Sequence, residues 1–171
     1  MVKFFITLAA VVLFIVEPVF SLFSPFELGD HVFYIVPRFL ILFLIFLSIY
    51  YNRKQAMIYA FIFGLLYDVF YIDIIGLYTV LYPLICYIAG WIVKVIHQRL
   101  IVSTMISLIL VAGIELIVYQ FNLLIGYTTI TMLDFVTYRL IATILANLFF
   151  VVILVWVFNY LIKLRVFSED A

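Results

Sequence analysis

Three observations predict an all-α polytopic membrane protein of six transmembrane helices with both termini in the cytoplasm. Of 171 residues, 70% are hydrophobic and only 11% charged, and the mean hydropathy is +1.41. A soluble domain carries about 45–50% apolar and about 25% charged residues. The apolar residues fall into six stretches, each near the roughly 20 residues that cross a bilayer. The basic residues gather in alternate breaks between those stretches, as the positive-inside rule requires of cytoplasmic loops. The formal net charge is zero, with no basic block, so nucleic acid is not an expected partner. Cys86 is the lone cysteine, which excludes an internal disulfide and a cysteine-cluster metal site.

The first stretch covers about 4–23 and ends in the polar 24–30. Lys3 before it has the charge of a secretory signal, but no Ala-x-Ala-like cleavage site follows, and Glu17-Pro18 stands where one is needed. A retained helix is expected. The second stretch, 32–51, stops at Asn52-Arg53-Lys54-Gln55, and the third, 56–72, is separated from the fourth, 76–93, by Asp73-Ile74-Ile75. A break at 94–99 precedes the fifth, 101–124, and a Thr-rich loop at 126–134 precedes the sixth, 135–162. No linker or low-complexity tract interrupts the chain, so residues 1–171 read as a single integral membrane domain. Sustained apolar runs fit helices, whereas barrel strands would alternate over about ten residues.

A cytoplasmic N-terminus puts Lys3, Arg53, Lys54, Lys94, Arg99, Lys163 and Arg165 inside and leaves only Glu27, Asp30, Asp73 and Asp134 in the outer loops. Glu17, Arg38, Asp68, Glu115 and Arg139 remain within the spans. At 1.5 Å per residue they lie ~6 to ~14 Å below the outer ends of their spans. With Tyr34, Tyr67, Tyr71, Tyr78, Tyr82, Tyr119, Tyr127 and Tyr138 on the same side, a polar, tyrosine-rich outer layer should sit over an apolar inner one. A charge at such depth costs roughly 2.5–3.5 kcal/mol on insertion scales and faces protein, water or a partner.

Depth matching on consecutive helices suggests the intramembrane ion pairs Glu17–Arg38 and Glu115–Arg139. Two arginines cannot neutralise three carboxylates, so Asp68 is left without a cation. Counting back by fours from Asp68 gives Gly64, Ala60 and Ala56, a spacing of small residues that lets helices approach closely in lipid. Ala60, Gly64 and Asp68, with Gly76 beyond the turn, form a candidate partner or helix-packing surface. Chemistry is harder to assemble. His31 and His97 fall on opposite sides of the membrane, no Gly-x-Ser-x-Gly or phosphate-cradling loop occurs, and Tyr67-Asp68 supplies only half of an intramembrane aspartyl-protease pattern. No enzyme, metal or cofactor is expected.

Pro37-Arg38-Phe39 in the second stretch, Gly64-Leu65-Leu66-Tyr67-Asp68 in the third, and Gly76-Leu77-Tyr78 after it stand in order along a chain of this length with short basic breaks. In these features the whole chain resembles the bacterial rod shape-determining MreD family. The resemblance implies a non-enzymatic scaffold in the bacterial cell membrane. Such a scaffold works with the bitopic MreC, the actin-like MreB, and the wall-synthesis pair of RodA and a class B penicillin-binding transpeptidase. The family's likeness to substrate-binding subunits of energy-coupling-factor transporters supplies the alternative, a binder of a vitamin or other small solute. Which helices meet a partner, and whether the chain forms a homo-oligomer, stay open at this level.

Overall fold

A computed structural model describes residues 2–22, 24–28, 31–72, 74–96 and 100–163. Asp30, Asp73, Arg99 and Arg165, which entered the charge count, and His97 lie outside them. In chain order the elements are α1 (Val2–Ser21), an antiparallel hairpin of β1 (Phe26–Leu28) and β2 (His31–Phe33), α2 (Phe39–Tyr50), α3 (Arg53–Tyr67), α4 (Leu77–Ile96), α5 (Leu100–Leu124), the single turn α6 (Met132–Asp134) and α7 (Ile141–Lys163). Two π-helical turns complete the list. Asp68–Ile72 extends α3, and Phe135–Leu140 leads into α7. Among the described residues, five helical segments are long and apolar enough to cross a membrane: Lys3–Ser21, Arg53–Ile72, Leu77–Ile96, Leu100–Leu124 and Met132–Asn159.

The second stretch departs from expectation. A helix over 32–51 was predicted, but α2 has 12 residues and spans only ~18 Å, short of the ~30 Å hydrocarbon core. Residues 31–33 form β2 and 34–38 run without regular structure. Pro37 has no amide proton to donate and disfavours helix at Val36. Irregular backbone at membrane depth survives only where protein satisfies it, and neighbouring elements do so here. The amide of Tyr34 donates to the Tyr138 carbonyl at 2.9 Å. Those of Ile35, Val36 and Arg38 donate to Ser24 Oγ, Thr143 Oγ1 and Asn147 Oδ1 at 2.9, 3.1 and 2.8 Å. Asn147 returns a bond to the Val36 carbonyl at 3.1 Å.

Helix α2 is the centre of the bundle. All residues from Leu40 to Ile49 are buried, and α1, α3, α4, α5 and α7 all pack against it. A helix that is apolar all round belongs in such a position. Its one interior hydroxyl, Ser48, donates to the Cys86 carbonyl at 2.7 Å. Helices α3 and α4 make the most extensive contact between helices, and Ala56, Ala60 and Gly64 on α3 are buried. A Cβ on Gly64 would press on the Tyr78 carbonyl, 2.9 Å from its carbon, with Thr79 Cα at 3.1 Å. Only glycine permits that approach.

Candidate functional site

The π-helical turn after α3 turns Asp68 toward the start of α4. Its Oδ1 accepts from the Tyr78 amide at 2.8 Å. Its Oδ2 accepts from the amides of Gly76 and Thr79, both at 2.9 Å, and from the Thr79 hydroxyl at 2.7 Å. Asp68 therefore caps α4 from a neighbouring helix, giving acceptors to amides that lack intrahelical partners and a negative charge to the positive end of the helix dipole. Gly76 takes φ +116°, a left-handed conformation open to glycine, which aims its own amide back at Asp68. The sequence left this carboxylate without a counter-charge. Its counter-charge is a helix end, not a cation.

Glu17 follows the same logic. Its Oε2 accepts from the Leu40 amide in the first turn of α2 at 2.9 Å, and the side chain is fully buried. The expected Glu17–Arg38 ion pair does not form. Arg38 precedes α2 and its side chain runs the other way, with Nε 2.6 Å from Glu115 Oε1. Nη2 donates to the Tyr78 hydroxyl at 2.7 Å and Nη1 to that of Tyr67 at 3.3 Å. The guanidinium also stands 5.0 and 5.7 Å from the centres of those two rings, within cation–π range. Depth matching failed here because the break at 34–38 removes the helical geometry on which it relied.

Glu115 receives both arginines. Arg139 Nη2 lies 3.3 Å from Glu115 Oε2, with its side chain 33% exposed against 2% for Arg38. Each helix N-terminus carries roughly half a positive charge, so two guanidinium groups and two helix ends balance three carboxylates. Around them Tyr67, Tyr71, Tyr78 and Tyr82 form one aromatic cluster of tilted and edge-to-face rings, which Phe14 joins at Tyr67 and Tyr71. All five intramembrane ionisable residues thus belong to one layer. Gly64 belongs instead to the α3–α4 seam that brings Asp68 to Tyr78, and Ala60 is buried on the same helix.

Sequence reasoning missed Thr79, Thr143, Asn147 and Ser24, whose side chains hold the irregular backbone and the α4 cap. A signal was present, because Thr143 and Asn147 lie four residues apart inside an apolar stretch, and polar residues there face protein. His31 on β2 has its Nδ1 3.3 Å from the Tyr138 hydroxyl, above the π-helical turn that carries Arg139.

The model of the family described as rod shape-determining protein MreD matches residues 1–164. The chain belongs to the MreD family. Within reach of this family assignment, the chain is 38% identical over 161 residues to the rod shape-determining protein MreD of Bacillus subtilis, covering 93% of this chain and 92% of that one. It is 26% identical over 126 residues to the cell shape-determining protein MreD of Streptococcus pneumoniae, covering 74% and 77%. No solved structure matches. The apolar helices and the family together make the chain a membrane protein.

Proposed function

We propose that this chain is a non-enzymatic scaffold of the cell-elongation machinery in the bacterial plasma membrane. It crosses six times as one domain, keeps both termini in the cytoplasm, and supports wall synthesis and rod shape. Its partners in this reading are an MreC-like protein, RodA with a class B penicillin-binding transpeptidase, and indirectly MreB. The observation that carries the reading is that each carboxylate of the polar layer is held by groups of the chain itself, with Glu17 Oε1, the Tyr82 hydroxyl and Arg139 Nε left buried without a hydrogen-bond partner among the described residues. Asp68 and Glu17 occupy the helix ends that could otherwise hold an anion, and Glu115 holds both arginines. Groups so engaged fix a shape, and a chain with nearly all its mass in the bilayer then meets partners through helix faces and short loops. The second stretch completes a sixth crossing by adding the segment 34–38 to α2, like the broken helices of transporters.

The solute-binding alternative needs polar groups converging on a cavity, and the cavity beside Leu13, Val16, Pro37, Phe39 and Phe150 is lined by apolar side chains. The test is purification from native membranes in mild detergent. Retention of an MreC-like protein, and loss of rod shape on depletion restored by the parent chain, supports the scaffold. Stoichiometric retention of a small solute with normal cell shape would overturn it.

A further inference from the structure

Every described carboxylate, Glu17, Glu27, Asp68, Glu115 and Asp134, stands toward the end of the bundle where α2 begins and α3 ends. At the opposite end the described residues include Lys3, Arg53, Lys54 and Lys94 and no acid. Arg53 and Asp68 are ~22 Å apart along α3. The first turn of α3 carries Arg53 and Lys54 without an acidic residue, although the helix dipole is already positive there. Cations gathered where the described chain supplies no counter-charge call for an anion from outside it.

Arg53 is also held in place. A Cβ on Gly90 would lie 2.8 Å from Arg53 Cδ and 3.3 Å from its Cγ, so the missing side chain at Gly90 gives the arginine stem its path across α4. The guanidinium carbon then stands 5.0 Å from the centre of the Tyr87 ring, within cation–π range. Around α4, Tyr87, Trp91 and Lys94 lie within about 60° of one another, and all three are exposed. A packed guanidinium, exposed lysines and two exposed rings therefore share one face where α3 meets α4.

That face also selects the ligand. Val80 and Leu84 continue it along α4 and are exposed. An apolar strip thus runs ~17 Å from Val80 to Trp91, about half of the ~30 Å hydrocarbon core, and ends at the cations. An anionic head joined to a chain of one leaflet's depth matches the whole surface, whereas an acidic soluble protein would meet only its charged end. Tyrosine and tryptophan favour headgroup depth, and basic pockets beside membrane helices take lipid head groups. We propose that Arg53, Lys54 and Lys94, beside Tyr87 and Trp91, bind the phosphate of an anionic phospholipid in the leaflet at this end of the bundle.

Trp91 reports on its own site. In a Trp156→Phe background it is the single tryptophan, and bromine on a lipid acyl chain quenches it by contact. The full chain is reconstituted in mixed vesicles of phosphatidylcholine and phosphatidylglycerol, with one lipid or the other brominated. Brominated phosphatidylglycerol should quench Trp91 several-fold more than brominated phosphatidylcholine at equal mole fraction. Arg53→Gln should remove most of that preference. Lys54→Gln and Lys94→Gln change exposed side chains, and should each reduce it while leaving thermal unfolding in uncharged detergent unchanged. Equal quenching by the two lipids, a preference that survives all three substitutions, or an equal preference at Trp156 in a Trp91→Phe chain overturns the proposal. So does an acidic protein that Lys94→Gln releases from native membranes when Trp91 shows no lipid preference.

Discussion

Asp68 makes four hydrogen bonds to the start of α4 through two oxygens, so its replacement separates charge from shape. Asn keeps one acceptor but turns an NH2 toward an amide donor. Leaving a buried donor unsatisfied costs about 1–3 kcal/mol, and losing the charge at a helix N-terminus about 0.3–1 more. Asp68→Asn should therefore lower the unfolding temperature of the detergent-solubilised protein, and Asp68→Ala should lower it further. Parent-like melting of Asp68→Ala would show that the cap contributes nothing. Glu115 gives a ranking at the same scale. Removing one partner of a buried pair costs about 3–5 kcal/mol, and exposure screens the weaker bond to Arg139. Glu115→Gln and Arg38→Gln should be severely destabilising and Arg139→Gln mild. In double-mutant cycles the Arg38–Glu115 coupling should exceed Arg38–Glu17, and the reverse order would restore the depth-matched pairing. Sequence reasoning placed all these residues in one layer, because charge and hydropathy reveal depth. It could not assign their partners, because depth leaves the azimuth of each side chain free.

At the scale of elements, the seam of α3 and the break before α2 impose opposite demands. The seam requires absence of side chain at Gly64, where the Tyr78 carbonyl and Thr79 Cα leave no room for a Cβ. Gly64→Leu should drive α3 and α4 apart, release Asp68 from its cap, and leave little folded protein in fluorescence-detected size-exclusion profiles. The break requires side chains that act as backbone. Asn147 serves both the Arg38 amide and the Val36 carbonyl, so Asn147→Leu strands one buried group at about 1–3 kcal/mol and one partly buried group at less. Thr143→Val strands one, the Val36 amide, and thermal unfolding should rank Asn147→Leu below Thr143→Val below the parent. Small residues at fourfold spacing were legible before any coordinates. The helix break was signalled only by Pro37, and proline alone does not say whether a membrane helix kinks or stops.

For the whole molecule, the proposed orientation rests on the seven basic residues that a six-crossing arrangement places on one side, with none on the other. Reporter fusions after Gln55, after Gln98 and at the C-terminus should read cytoplasmic, and fusions after Asp30, Asp73 and Thr131 external. An external signal at Gln98 would break the six-crossing arrangement. The sequence by itself determined that this is a helical membrane chain, where its apolar stretches lie, and that the five ionisable residues within those stretches belong to one half of the membrane. Those properties depend on composition and on distance along the chain. Tertiary structure alone decided that α2 is a short central helix, that Glu17 and Asp68 cap helices instead of meeting arginines, and that Glu115 takes both cations. Each of these depends on which backbone group or side chain stands opposite another across the bundle. Hydropathy carries no such information, because a helix end formed elsewhere in the chain can stand in for part of a cation's charge beside a carboxylate.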